Sequence, residues 1–460
     1  MAFVVRLPLM TRSHEVFPGG DSEQYLRLGS QFFSAGQSDP ASAIRPPGYP
    51  LFLALADLLP GRIEDDAAVV QLVIGAALAG AIVYFAWGLF GAFPAVATGL
   101  LVALAVPNME LDAVLLSDGL FGILVCACCA VLIAAVLASD PQRRRKLLIV
   151  LSLLIVAATY VKPVGHALIL APIVPLALAT RSLRQTLIGA GIVAGIVLLL
   201  TVPWMARNAS IYGSFSMSVQ TGATLFARVF EKDGLPPPEN RPYGRQLREF
   251  LQQHPKVRPS SGFHDELTAQ GLSQTQANEV QRDLALTALE RAPLTVAGGV
   301  VNSVATTYTD IAGDFGTGRE VMDSIVRERS GAITPQITAT GLGIGEALRG
   351  LWFLISINGF AAVLWFIAAG RRSRLAGACL VAVWLSIATA TAVLHGGAFR
   401  YSASLAPMVW LFGVLGAATV LRLLAQFVTP PWKDRLLYLT ALGLSPRTSP
   451  GERQAPTPGT

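Results

Sequence analysis

Apolar runs of membrane-spanning length, almost free of charge, recur along this chain and dictate what it can fold into. They cover Ala67 to Phe90, Ala92 to Val106, Gly119 to Leu137, Leu147 to Val161, His166 to Ala179 and Leu187 to Met205. After a long polar interval they resume at Leu348 to Ala369, Leu375 to Leu394 and Ser402 to Leu424. A span needs about 20 mainly apolar residues, because the bilayer offers no partner to an unpaired backbone group. A soluble core could not absorb so much: charged residues are 14% of the chain, against about 25% in an ordinary soluble domain. The pattern predicts an all-α polytopic membrane protein.

The loops set the orientation. "RRRK" (Arg143 to Lys146), Arg181 and Arg184, "RRSR" (Arg371, Arg372, Arg374) and the tail with Lys433 and Arg435 fall on every second connection. The positive-inside rule makes these the cytoplasmic loops. It also accounts for the net charge of +6 without nucleic acid, which is not expected as a partner. The other face receives Gly19 to Gly61, the turn "PNMELDAVLLSD", the turn "VKPVG", the interval after "PWMARN", and "HGGAFRY". By the same parity the N-terminus lies outside, where "MAFVVRLPLM" is about half a span. A first span is expected to be missing, trimmed or upstream of Met1, and no complete signal peptide is present.

Within the polar interval, "SQTQANEVQRDLALTALERAP" reads as a helix capped by Ser273 and stopped by Pro293. "PLTVAGGVVNSVATTY" is expected to lie against the membrane surface, since a span there would turn "RRSR" outward. The four cysteines sit inside apolar runs and suggest neither a disulfide framework nor a zinc site. Asn208 opens a formal glycosylation sequon, too near the membrane to carry weight.

The external face gathers the chemistry. Acids occur in the first loop (Asp21, Glu23) and before the third apolar run (Glu110, Asp112, Asp118). Glu110 and Asp112 read as a solvated turn, whereas Asp118 directly precedes "GLFGIL", where a carboxylate is partly desolvated. Arg45, Lys162, Arg207 and Arg400 stand at external helix ends beside prolines or aromatics ("RPPGYP", "VKP", "PWMARN", "RY"). Any one of these could merely snorkel to the interface. Four on the face that the charge rule leaves poor in cations are suited to a lipid phosphate. His166 and His395 at span ends read as structural.

These residues carry a family resemblance. "D-x3-Y…RPPGYPLFLAL", "LLSDGLF", "VKP", "VPWMARNASIYGSF…TGATLF" and "HGGAFRYSASLAPMVWL" occur in the order typical of the GT-C glycosyltransferases that use polyprenyl-phosphate sugars. Within that superfamily the chain resembles the protein-mannosyltransferase-like and lipid A sugar transferases, over Asp21 to Pro407. The resemblance implies a multi-span helical bundle with juxtamembrane helices and a mixed extracytoplasmic domain. Residues 1–66 then form the first external loop, whose "RPPGYPLFLALADLL" is one juxtamembrane helix. Residues 67–205 and 348–424 hold about six and about three spans, 206–347 the extracytoplasmic domain, and 425–460 a partly disordered cytoplasmic tail.

By position, Asp21 matches the family's first-loop aspartate and Asp118 a second acid. Arg45 matches a base near the donor phosphate, and Lys162, Arg207 and Arg400 fall at family basic positions. Tyr25 and Tyr49 lie within the matched motifs. The family often has an acidic pair where this chain has Asp21, Ser22 and Glu23, so Glu23 is a further candidate. The resemblance implies an inverting transfer, with Asp21 as general base on an acceptor hydroxyl and the cations on the departing phosphate. Two carboxylates without a histidine pair would suit Mg²⁺ or Mn²⁺, so Asp21 and Asp118 are also the candidate metal ligands. The implied partners are a polyprenyl-phosphate-sugar donor, a lipid, glycan or protein acceptor, and membrane lipids. The implied location is a bacterial inner membrane, with the site facing the periplasm or exterior.

The main rival is a transporter or flippase of lipid-linked saccharides, which would carry ionisable groups or broken helices near mid-membrane. A non-catalytic scaffold would have no need of Asp21, and a glycan ligase would use other motifs. Neither the sugar nor the acceptor can be read from these residues.

Overall fold

A computed structural model of the chain describes residues 2–10, 21–34, 41–104, 112–313, 362–363, 369–395 and 399–425. The N-terminal part contributes α1 (Ala2–Met10), α2 (Asp21–Ser30), α3 (Ala41–Ile44) and α4 (Gly48–Ala56). The first membrane block holds α5 (Ile63–Phe90), α6 (Ala92–Leu104), α7 (Ser117–Leu137) and α8 (Pro141–Val161). It continues through a 3₁₀ turn (Pro163–Ile169), α9 (Ile173–Thr180) and α10 (Leu183–Tyr212). Beyond it come α11 (Thr221–Phe226), a π turn (Ala227–Lys232), α12 (Gly244–Gln253), α13 (Pro259–Ala269), α14 (Gln274–Arg291) and α15 (Pro293–Gly313). The chain closes with α16 (Arg371–His395) and α17 (Phe399–Ala425).

Six stretches among the described residues are long and apolar enough to cross a membrane, or seven if the bent pair α14 and α15 is one span. This is an all-α integral membrane protein. The expected span Leu348 to Ala369 falls almost wholly outside the described residues, as do Glu110 and the tail from 426 onward. The run beginning at Ala92 forms a helix of only 13 residues, and that at His166 is broken into a 3₁₀ turn and α9. Proline at 163 and 172 explains the break, since neither can donate a backbone hydrogen bond.

The bundle core joins Phe121, Leu132, Leu151, Val193, Ile387, Leu405 and Trp410 across α7, α8, α10, α16 and α17. The basic cluster in the first turns of α8 follows a capped end: the Asp140 carboxylate accepts from the backbone N–H groups of Gln142 and Arg143, both at 3.0 Å, with Pro141 in the first turn. The expected "mixed" domain is helical in its described part and has its own core of Phe226, Leu247, Phe250, Phe263 and Leu284. Ser273 caps α14 through a reciprocal box with Gln276, and α14 ends before Pro293, as read from the sequence. From there α15 turns by 102° and packs against α16 and α17.

One contact sets the geometry of the face where α4 meets α8. A Cβ at Gly48 would lie 2.6 to 2.8 Å from backbone atoms of Tyr160 and Val161, so only glycine lets α4 rest on the end of α8. On its other side α4 exposes Leu51 and Leu55, and the turn after it exposes Leu58, an apolar stripe at four- and three-residue spacing. Such a face suits a helix lying in the interface. Gly48, three residues after Arg45, thus docks the start of α4 on the backbone two residues before Lys162. Gly48→Ala is expected to destabilise the protein by about 1–3 kcal/mol through overpacking, read as a lowered Tm in detergent. An unchanged Tm would mean that α4 docks without needing the glycine.

Candidate active site

Two carboxylate–cation pairs stand at one rim of the bundle. The first joins the short helices of the first loop. Arg45, just after α3, donates from Nη2 to Asp21 Oδ1 at 2.5 Å and from Nε to Gln24 Oε1 at 3.0 Å. Its guanidinium also packs over the Tyr25 ring, 5.1 Å from the centroid. Residues 21, 24 and 25 share one face of α2 by the three- and four-residue helical spacing, so one arginine meets all three.

The second pair joins two spans. Asp118 opens α7 and Lys162 follows the last residue of α8; because the two helices run antiparallel, both groups reach the same membrane face. Lys162 Nζ donates to Asp118 Oδ1 at 2.6 Å, and the carboxylate is 0% exposed. The lysine also lies over Phe121. Ser404 on α17 donates to the Asp118 backbone carbonyl at 3.2 Å, which brings the final span to the site.

Tyr25 links the pairs. Its hydroxyl is 3.1 Å from Ser117 Oγ, one residue before Asp118, and it feels the charges of Arg45, Asp21 and Asp118 together. Burial pushes the phenol up and Arg45 pulls it down. The upward effect dominates, so Tyr25 stays a neutral phenol able to donate or accept. Tyr49 packs edge-on against it at 4.8 Å and donates to Gln71 Oε1 at 2.7 Å.

The third cation is one step away. Arg207 in the last turns of α10 donates to Ser42 Oγ at 3.2 Å, on the helix that precedes Arg45, and stacks on Trp204. Of the residues singled out in the sequence, Asp21, Arg45, Tyr25, Tyr49, Asp118, Lys162 and Arg207 therefore share one rim. Glu23 is exposed on α2. The side chains of Arg400 and His395 lie outside the described residues. His166 contacts Thr201 Oγ1 at 3.1 Å, an ordinary packing role.

The sequence reading of Asp112 needs correction. It is buried, with an oxygen 3.5 Å from Arg6 Nη2, rather than lying in a solvated turn. The reason is that Gln71 on α5 draws the turn inward, donating to the carbonyls of Asp112 at 2.9 Å and Val114 at 3.2 Å. Arg6, Gly75, Asp112 and Asp118 line a cavity of about 30 Å³, roughly room for a water. Gln71, Gln24, Ser117 and Arg6 went unnoticed in the sequence. A lone amide inside an apolar run was the available signal for Gln71.

Burial pushes the Asp112 carboxyl up from the ordinary 3.8 to about 7, Arg6 opposing. Between those values the folded state holds a proton that the unfolded state lacks. The stability that Asp112 contributes is thus fully present below 3.8 and is lost as pH rises through about 7. Asp112→Asn is expected to flatten that part of a Tm-against-pH profile, and an unaltered slope would place the titration elsewhere.

Asp21 and Asp118 are the candidate metal ligands read from the sequence. Each faces its own cation, and among the described residues no three His, Cys, Asp or Glu side chains gather as ligands. The donor set is already neutralised and does not fit a shared divalent ion.

A membrane-embedded helical bundle with paired acids and bases on one rim is the class that this fold and site define. No family model and no curated protein matches the chain. Among solved structures it is similar to those of ArnT from Cupriavidus metallidurans, in the apo state and bound to undecaprenyl phosphate. Both are 18% identical, with TM-scores of 0.37 and 0.38, and 96% of this chain covers 83% and 84% of theirs. It is also similar to the archaeal oligosaccharyltransferase AglB from Archaeoglobus fulgidus, in complex with an inhibitory peptide and a dolichol-phosphate. There the identity is 14% and the TM-score 0.48, with 96% of this chain covering 53% of that one. The likeness at these values extends to neither chemistry nor substrate.

Proposed function

We propose that the chain is a membrane glycosyltransferase that moves a sugar from a polyprenyl-phosphate donor to an acceptor hydroxyl, with inversion. The carrying observation is the rim itself: Asp21–Arg45 and Asp118–Lys162, linked through Tyr25 and Ser117, with Arg207 adjoining. An apolar groove of about 320 Å³, lined by Ile74, Phe85, Ala130, Met408 and Leu411, shares Leu78, Ile123 and Pro407 with the small cavity at Asp118. It supports a donor whose prenyl chain lies in the bundle while its phosphate meets the cations.

The chemistry follows from charge. The donor phosphate competes with Asp21 for Arg45, and a carboxylate released from its cation is the stronger base. Asp21 takes the proton of the acceptor hydroxyl as its oxygen attacks the anomeric carbon. The bond from that carbon to the phosphate oxygen breaks, and the polyprenyl phosphate leaves with one more negative charge. Arg45, Lys162 and Arg207 are placed to neutralise it, and preorganised charge of this kind is a large part of enzyme catalysis. No step is routed through a metal, because the protein's own cations already face both carboxylates.

The ionisable groups described here stand at the external ends of α7, α8 and α10 rather than at mid-span, which favours an interfacial enzyme over a flippase. The reading includes a bacterial inner membrane, with the site facing the periplasm or exterior, and a hexose or pentose as the transferred sugar. The test is transfer from radiolabelled polyprenyl-phosphate sugars in membranes bearing the chain, with and without EDTA. Transfer that survives EDTA is expected. No transfer from any donor would move the reading to a transporter, and transfer abolished by EDTA and restored by Mg²⁺ or Mn²⁺ would put a metal at the site.

A further inference from the structure

We infer that the cleft between the 213–222 segment and α14 is a saccharide-binding subsite, which holds the acceptor beside the donor rim. The inference rests on the transferase reading above for the word acceptor, and on the cleft itself for the saccharide.

The cleft has about 280 Å³ of space and is lined by Ser214, Phe215, Thr275, Asn278, Glu279 and Arg282 among others. That is close to the lower bound of small-molecule sites, roughly 300 Å³. Its walls are held in advance. Gly213, at φ 74°, ends α10 in the left-handed turn, and Asn208 and Trp204 donate to the carbonyls of Ser216 and Met217 at 2.9 and 3.2 Å. On the far side Gly222 brings α11 against α14, where a Cβ would come within 2.1 Å of the Asn278 carbonyl oxygen.

Asn278 is the telling residue. It is 5% exposed, and its Nδ2 donates to the Gln274 carbonyl at 2.9 Å, but its Oδ1 makes no hydrogen bond among the described residues. A buried acceptor left unpaired is costly and calls for an explanation. A donor hydroxyl from the cleft would satisfy it once the Asn278 side chain turns, since the oxygen is closed to solvent in this structure. Around it stand the groups that a polyhydroxylated ring requires. Phe215 is 58% exposed and offers a flat apolar face, Arg282 donates, Glu279 accepts, and Ser214 and Thr275 do both. A lipid tail would not use so many polar groups.

The position fits transfer. The cleft's inner strand is bonded to α3: Val219 N–H donates to the Ala43 carbonyl at 3.0 Å and Ser218 Oγ to the Ile44 carbonyl at 2.8 Å. The next residue is Arg45, on Asp21. The cleft is therefore tied to the short helix that ends one residue before Arg45, whose guanidinium meets Asp21 on α2.

The test uses the full chain in a detergent without a sugar headgroup. Saturation-transfer NMR would follow a panel of soluble disaccharides and a serine- and threonine-containing peptide, and native mass spectrometry would follow undecaprenyl phosphate. Wild type is expected to bind at least one saccharide, with Phe215→Ala and Arg282→Ala each weakening it up to roughly tenfold, the scale of one lost contact. Both residues are exposed, so neither variant threatens folding, and undecaprenyl phosphate should bind all three proteins alike. Saccharide binding that is absent, or equal in wild type and variants, while undecaprenyl phosphate still binds, overturns the subsite and leaves the transferase reading standing. Binding of the peptide in place of every saccharide also overturns it. Failure of wild type to bind undecaprenyl phosphate brings down the transferase reading, and the acceptor assignment with it.

Discussion

Asp21→Asn is expected to lower sugar transfer by roughly 10²–10⁴-fold, the usual contribution of a positioned general base. Asparagine has almost the same shape and can still accept from Arg45, so the loop should keep its fold while losing its basic group. The loss should appear in kcat, because nothing in the donor's binding requires the carboxylate. Donor affinity should hold or rise, since Arg45 no longer has an anionic competitor at 2.5 Å. Transfer by the variant at the wild-type rate would remove Asp21 from the mechanism. Equal losses of kcat and of donor affinity would make it a positioning residue for Arg45.

The second large effect concerns Lys162. Its partner Asp118 is fully buried, and removing one member of a buried pair typically costs about 3–5 kcal/mol, since the other charge is left in a poor medium. Lys162→Met should therefore lower Tm sharply in detergent, beyond what an exposed lysine could do. The double variant Asp118→Asn/Lys162→Met should recover much of the lost stability while remaining inactive. That split separates the pair's share in holding α7 to α8 from its share in stabilising the departing phosphate. A single variant as stable as wild type would show that the pair is not buried as described.

The described spans and the capped helix after Ser273 were legible because each depends on local rules, whereas the short helix at "GYPLFLALA" was expected from the family resemblance. Spans follow from runs of apolar residues, and helix ends from capping and proline. Even the grouping of Asp21, Arg45, Lys162, Asp118 and Arg207 on one face followed from parity alone.

Only the tertiary structure decided who pairs with whom. Asp21 meets Arg45 across 24 residues and Asp118 meets Lys162 across 44, while Tyr25 reaches Ser117 across 92. Such partners are chosen by packing: a glycine that lets α4 touch the end of α8, and an amide on α5 that pulls Asp112 into the bundle. Hydropathy reports the medium around each residue along the chain. It holds no record of distance between segments, and electrostatic pairing depends on that distance.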